Sequence, residues 1–217
     1  MRNQVIDTVK KEKRIVIIRG VEKEKLIPLA EAMYEGGVRL LEITYSADGR
    51  ISDEETAANI KMLADRFEGR MHIGAGTVLS EKQAELTKNA GGKFIISPDT
   101  NGDVIKRTRE LEMVSMPGAL TPSEVQAAHK FGADFVKLFP VSSLGAEYVK
   151  AIKAPLSHIE LLAVGGVDEG NMAEYLAAGV SGFGLGSNII DKKALAEGNY
   201  EAITELAKKF VAAAKGE

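Results

Sequence analysis

Short apolar runs alternate with longer amphipathic stretches from one end of the chain to the other. The runs that read as strands are 14–19 (RIVIIR), 38–44 (VRLLEIT), 72–77 (HIGAGT), 94–97 (FIIS), 113–116 (MVSM), 135–139 (FVKLF), 161–164 (LLAV) and 182–185 (GFGL). Near-continuous apolar strands of this kind are expected where both faces of a sheet are covered. The stretches between them carry helix signals. Ser80 leads SEKQAELTKNAGG, and Thr121-Pro122-Ser123-Glu124 opens TPSEVQAAHKFGA with proline in the first turn. Gly36-Gly37, Gly91-Gly92, Gly132 and Gly179 fall where a left-handed helix end is wanted.

Eight strand-then-helix units share 217 residues, about 27 each, which is tight for βα units. Strict alternation implies a parallel sheet with helices outside it, and eight units imply an α/β fold closed as a (β/α)8 TIM barrel. The first ten or so residues read as a short extra helix ahead of the first strand. No Pro/Ser-rich linker or charge block divides the chain, so residues 1–217 are expected to form a single domain. Only Ser46 to Glu55, within the run SADGRISDEE, reads as an elongated loop.

Composition narrows the function classes. Hydrophobic residues make up 45% and charged residues 27%, too apolar for a disordered chain. The net charge of −3 gives no electrostatic case for nucleic acid. There is no cysteine, which excludes disulfides, thiolate metal sites and cysteine nucleophiles. No apolar run approaches a membrane span, and the first residues lack the apolar centre of a signal peptide, so a cytoplasmic protein with no membrane partner is expected.

In a barrel of this type, working groups sit at the C-terminal ends of the strands and in the loops after them. Lys137 lies within Phe135-Val136-Lys137-Leu138-Phe139, with no polar neighbour for two residues on either side. Its ammonium must escape at the strand end, join a structural ion pair, or stay desolvated. Desolvation lowers the pKa of a lysine, and the neutral amine is the species that forms Schiff bases with carbonyls. In Leu40-Leu41-Glu42-Ile43-Thr44, period two places Glu42 on the same side as Leu40 and Thr44. A carboxylate there is either ion-paired with Arg19 or Lys137, or tuned for proton transfer. Amine and carboxylate together suit carbonyl chemistry through an iminium ion.

Arg19 ends the first strand and could hold an anionic substrate. Thr77 follows Gly74-Ala75-Gly76, where glycines either let backbone approach a ligand or turn a tight barrel corner. Gly165-Gly166 and Gly184-Leu185-Gly186-Ser187 follow the seventh and eighth strands, the usual place for a barrel phosphate site. Backbone N–H groups, the serine hydroxyl and a helix N-terminus can hold a phosphate there. His72, His129 and His158 are scattered and lie away from strand C-termini, so no metal is expected.

Taken in order, Leu41-Glu42-Ile43-Thr44, Ile73-Gly74-Ala75-Gly76-Thr77-Val78, Ile96-Ser97-Pro98, Met116-Pro117-Gly118, Thr121-Pro122-Ser123-Glu124, Val136-Lys137-Leu138-Phe139-Pro140 and Gly165-Gly166-Val167 carry a resemblance. Over nearly its whole length the chain resembles the 2-keto-3-deoxy-6-phosphogluconate aldolases, class I aldolases that include 4-hydroxy-2-oxoglutarate aldolases. The resemblance implies a homotrimeric (β/α)8 enzyme without metal or organic cofactor. Its small-molecule partners would be pyruvate and an aldehyde, glyceraldehyde 3-phosphate or glyoxylate. Lys137 would match the Schiff-base lysine and Glu42 the general acid/base. Thr77 would bond the pyruvate carboxylate, with Arg19, Pro98 and Phe139 lining the pocket. Gly165, Gly166, Gly186 and Ser187 would hold phosphate.

Two positions depart from the family. Many members carry an arginine four residues after the glutamate; here that position is Ser46, with Arg50 or Arg19 available to compensate. Many have Pro-Thr-Gly-Gly after the seventh strand; here it is Ala163-Val164-Gly165-Gly166, a methyl in place of a hydroxyl. Both leave the choice of sugar acid open. A phosphosugar isomerase or epimerase, and a silent sugar-acid-binding barrel, stand as alternatives.

Overall fold

The computed structural model describes residues 1–215. Helix α1 (Arg2–Glu12) precedes strand β1 (Arg14–Ile18), followed by α2 (Lys23–Glu35), β2 (Leu40–Thr44), α3 (Asp53–Arg66) and β3 (His72–Gly76). Next come α4 (Glu81–Asn89), β4 (Phe94–Ile96), α5 (Gly102–Glu110), β5 (Val114–Met116), β6 (Gly118–Ala119) and α6 (Pro122–Phe131). The chain then forms β7 (Val136–Leu138), a 3-10 turn (Val141–Ser143), α7 (Gly145–Lys153) and β8 (Leu161–Val164). It ends with α8 (Met172–Ala177), β9 (Gly182–Leu185), α9 (Lys192–Glu197) and α10 (Tyr200–Lys215).

All strand pairs are parallel, in the order β5-β4-β3-β2-β1-β9-β8-β7-β6. The two outermost segments, β5 and β6, are separated in the chain only by Pro117. They are one barrel strand cut in two. Proline has no N–H for the ladder, so the pairing breaks there. Below the proline the strand pairs with β4, and above it with β7. The Pro117 carbonyl still accepts from the N–H of Lys137 at 2.8 Å, which carries the bonding across the seam. The expected eight strands are thus present, as nine segments, with the fifth running on to Ala119. It can run on because residue 118 is glycine: a Cβ there would sit 2.3 Å from the Pro98 carbonyl oxygen.

Alternation sorts the side chains. Leu40, Phe135, Leu162 and Val164 point into the barrel, whereas Leu41, Val136, Leu138, Leu161 and Ala163 pack against the outer helices. By the same period, Glu42 and Lys137 point inward, two residues above Leu40 and Phe135. The lower part of the barrel is apolar, and α1 closes it with Val5 and Val9, both fully buried in the inner cluster. Charges fasten this plug. Arg2 pairs with Asp134, which Arg109 also grips at 2.9 Å, and Lys10 pairs with Glu160 at 2.8 Å.

The stretch 46–55 is shorter as a loop than its composition suggests. Its last three residues form the first turn of α3, whose N-cap Ser52 accepts from the N–H of Glu55 at 3.1 Å. Asp53, Glu54 and Glu55 complement the positive end of that helix.

Candidate active site

The C-terminal rim of the barrel holds a cavity of about 440 Å3. Nine of the ten expected site residues line it: Arg19, Thr77, Pro98, Lys137, Phe139, Gly165, Gly166, Gly186 and Ser187. The tenth, Glu42, lies buried beside the cavity, 1% exposed.

Lys137 is 7% exposed, on the inward face of β7. Its pKa is lowered, first by burial and further by Arg19, against the opposing pull of Glu42. Its Nζ sits 4.7 Å from the centre of the Phe139 ring, an aromatic face that remains half open to solvent. Glu42 is shifted the other way. Burial pushes its carboxyl up to about 7, outweighing the attraction of Lys137 and Arg19. Its buried Oε2 has no hydrogen-bond partner, and no ion pair within 4.0 Å joins it to either cation. The structural ion pair considered for Glu42 is therefore absent among the described residues. Amine and carboxylate act on each other through space, not by contact.

Neighbouring strands make this possible. Glu42 is in register with Ile17 of β1 and Gly74 of β3. A Cβ on Gly76 would lie 1.5 Å from Glu42 Oε1, and one on Gly74 would lie 2.4 Å from the Phe94 ring. The two glycines therefore yield space to side chains inside the barrel, which is the tight-corner reading of this run, with the carboxylate of Glu42 as the group that needs the room.

Thr77, just past β3, adopts φ 55°, a left-handed conformation uncommon for a β-branched residue. Its Oγ1 accepts from Arg19 Nη2 at 3.0 Å, so the two expected carboxylate contacts are already joined. Arg50 does not line the cavity. Its side chain is 86% exposed and pairs with Asp48 at 2.6 Å, while Ser46 also bonds Asp48 at 2.5 Å. Of the two arginines that could replace the family arginine, only Arg19 faces the site.

On the opposite wall, Gly165 (φ 93°) and Gly166 (φ 72°) adopt left-handed conformations. A Cβ on Gly166 would strike Ser142 at 2.4 Å, so this position needs glycine even without a ligand. Gly186 differs: its φ is ordinary and a Cβ would meet nothing within 4 Å, so space for the fold does not explain it. The helix N-terminus expected beside Ser187 is not there. Turn residues follow, and α9 begins at Lys192 with Asp191 as its own cap. Asn188, absent from the sequence-based candidates, lines the cavity and donates from Nδ2 to the Val167 carbonyl at 3.1 Å. Its place directly after Ser187 is the available signal, but asparagine is common in turns for other reasons. Ile17 and Val167 also join the lining unforeseen, and Val164 completes an apolar wall with them.

The histidines are less scattered than expected. His129 and His158 meet edge to face at 5.0 Å, and His72 is half-buried against the Thr8 hydroxyl at 3.2 Å. No group of three or more potential metal-ligating side chains occurs among the described residues.

The model of the KDPG and KHG aldolase family matches residues 5–206. A probable 2-dehydro-3-deoxy-6-phosphogalactonate aldolase from Rhizobium meliloti (strain 1021) is 39% identical over 176 residues, 81% of this chain and 80% of the relative. A solved structure described as native KDPGal superposes with TM-score 0.84 at 32% identity, covering 94% of each chain. The KDPG aldolase of Legionella pneumophila, solved with pyruvate captured as a covalent carbinolamine, gives TM-score 0.82 at 28% identity, covering 94% of this chain and 97% of that one.

Proposed function

From the premise that the chain belongs to the KDPG and KHG aldolase family, we propose that it cleaves a 2-keto-3-deoxy-6-phospho sugar acid to pyruvate and glyceraldehyde 3-phosphate through a Schiff base on Lys137. The observation that carries this reading is the buried amine of Lys137, shifted toward its neutral form and free of any ion pair, beside a buried carboxyl with an unpartnered oxygen.

The steps balance with this chain's own groups. Neutral Lys137 Nζ adds to the C2 carbonyl carbon, giving a carbinolamine that loses water to a protonated imine. Glu42 takes the proton of the C4 hydroxyl. The C3–C4 bond breaks, its electron pair moves into the imine, and the aldehyde leaves. The resulting enamine takes a proton back at C3, and water hydrolyses the imine to pyruvate and free lysine. Arg19 and Thr77 would hold the C1 carboxylate, with Pro98 and Phe139 at the rim. Gly165, Gly166, Gly186 and Ser187 would hold the phosphate.

Within this class, the 6-phosphogalactonate configuration is placed ahead of 6-phosphogluconate, which the sequence resemblance alone favours, and ahead of 4-hydroxy-2-oxoglutarate. Identity supports this order, at 39% and 34% to two galactonate-named relatives against 32% to the phosphogluconate aldolase of Pseudoalteromonas atlantica. Val164 supports it too, because a methyl-bearing wall cannot bond a hydroxyl that threonine could. The resemblance also supports a homotrimer, to be measured by light scattering.

Reduction with borohydride in the presence of pyruvate should leave a stable adduct on the peptide holding Lys137. Turnover without any such adduct, accompanied by epimerisation of a sugar phosphate, would instead support the isomerase alternative. Initial rates on the two C4 epimers then decide the substrate; a higher kcat/KM with the gluconate epimer would put 6-phosphogluconate first.

A further inference from the structure

The opposite end of the barrel holds a second cavity, of about 540 Å3. It is lined by Lys11 and Lys13 at the end of α1, Arg14 at the start of β1, Arg39 just before β2, and Lys215 at the end of α10. The only carboxylate lining it among the described residues is Glu12. Five cations thus gather around one acid in a chain whose net charge is −3.

Arg14 is the centre of this cluster and is 1% exposed. Its Nη1 donates to the Glu12 carbonyl at 2.5 Å, and its Nη2 to Glu12 Oε2 at 2.7 Å and the Gly37 carbonyl at 2.9 Å. Its Nε–H is buried with no partner. Glu12 balances the charge of Arg14, and no acid pairs with Lys11, Lys13 or Arg39 within 4.0 Å among the described residues. Arg39 spends its Nη1 on the carbonyls of Tyr34 and Val38 and lies 4.3 Å from the centre of the Tyr34 ring, so its charge is oriented but not neutralised by contact with an acid. Lys13 has φ 57°, a left-handed helix end that its own N–H closes on the Val9 carbonyl at 2.8 Å.

We infer that this N-terminal face is a second anion site, for a small metabolite carrying two or more phosphoryl or carboxylate groups. Mutual repulsion among the cations is relieved when a polyanion enters. Two strands run from this cluster to the catalytic end. β1 begins with Arg14 and leads to Arg19, and β2 follows Arg39 and carries Glu42. Over five residues, the first of these paths spans about 17 Å. None of the residues assigned to the aldol reaction takes part in this second site, so the two proposals stand or fall separately.

Calorimetric titration of the intact protein with inorganic pyrophosphate and, separately, with citrate tests it and shows whether phosphoryl or carboxylate groups are preferred. Binding of at least one probe should weaken about tenfold or more in the double variant Lys13→Gln/Arg39→Gln and fall as salt rises. It should persist in Ser187→Ala, which disturbs only the catalytic end. The double variant should keep the wild-type kcat/KM. Should it fail to fold, the exposed pair Lys11→Gln/Lys215→Gln takes its place. No measurable binding of either probe to the wild type, binding unchanged in the cation variants, or binding lost only in Ser187→Ala would each overturn the inference.

Discussion

At its N-terminal end the barrel buries Arg14 and surrounds it with acceptors, a carboxylate and two carbonyls within 2.9 Å. At its C-terminal end it buries Lys137 and Glu42 and joins them neither to each other nor to any ion-pair partner among the described residues. Both regions are closed by parallel strands and both exclude water from charge. The difference lies in what the fold leaves unsatisfied. A contacted charge is held in one protonation state. In the uncontacted pair burial pushes each group toward its neutral form, the Lys137 amine down and the Glu42 carboxyl up.

The largest expected effect follows from removing the amine. Lys137→Met should reduce cleavage by about 10^4-fold or more. It should also abolish the borohydride adduct, while the melting temperature rises because a buried ammonium is lost. The lysine is favoured neutral in the fold, so its cost to stability is greatest at low pH and fades as pH climbs toward its ordinary range. A wild-type rate in this variant would end the Schiff-base reading.

Glu42→Gln should lower kcat/KM by about 10^2- to 10^4-fold. Below about pH 7 the carboxyl of Glu42 is protonated and cannot take the C4 hydroxyl proton, so wild-type cleavage should rise with pH through that region and the variant should lose this limb. Stability should move the other way. A carboxyl raised from 4.5 to about 7 on folding costs nothing below its unfolded pKa and its full penalty above about 7. Glutamine should therefore stabilise the protein at alkaline pH by about 3 kcal/mol at most, and leave it unchanged in acid. Denaturant melts at two pH values would show this.

Gly76→Ala sharpens the contrast without replacing a reacting group. The new methyl would occupy the space of Glu42 Oε1. Displacing the carboxylate by about 1 Å should cost about 100-fold in rate. The smallest catalytic effect belongs to the plug: Val9→Ala should lower stability by about 2 kcal/mol with kcat/KM unchanged, read from a chemical melt beside an activity assay. A rate loss there would mean that the two ends are not independent.

Much of this is legible in the chain. Eight apolar runs with helical stretches between them specify the barrel, because both periods are plain. The same period of two that sends Leu40 inward sends Glu42 inward, so spacing alone points to the proposed amine–carboxylate pair. What escapes is anything set by a partner distant in sequence. Met116-Pro117-Gly118 shows that a donor is missing, yet not that the strand changes neighbours there. Gly76 shows only that a side chain is absent, and the reason, Glu42 Oε1, lies on another strand. The loop from Ser46 reads too long because Ser52 heads a run of acids that suits a loop as well as a helix start. The basic cluster is hidden in the linear chain because Arg39 and Lys215 join Lys13 and Arg14 only in three dimensions.

The plug also fixes an order of events during synthesis. Helix α1 is translated well before the groups that fasten it. Arg2 waits for Asp134, Lys10 for Glu160, and the Lys13 carbonyl for the N–H of Phe183. Strand β1 likewise lacks one of its two neighbours until β9 has been made. Ring closure is thus a late, long-range event, and the growing chain must carry Val5 and Val9 exposed for most of its translation.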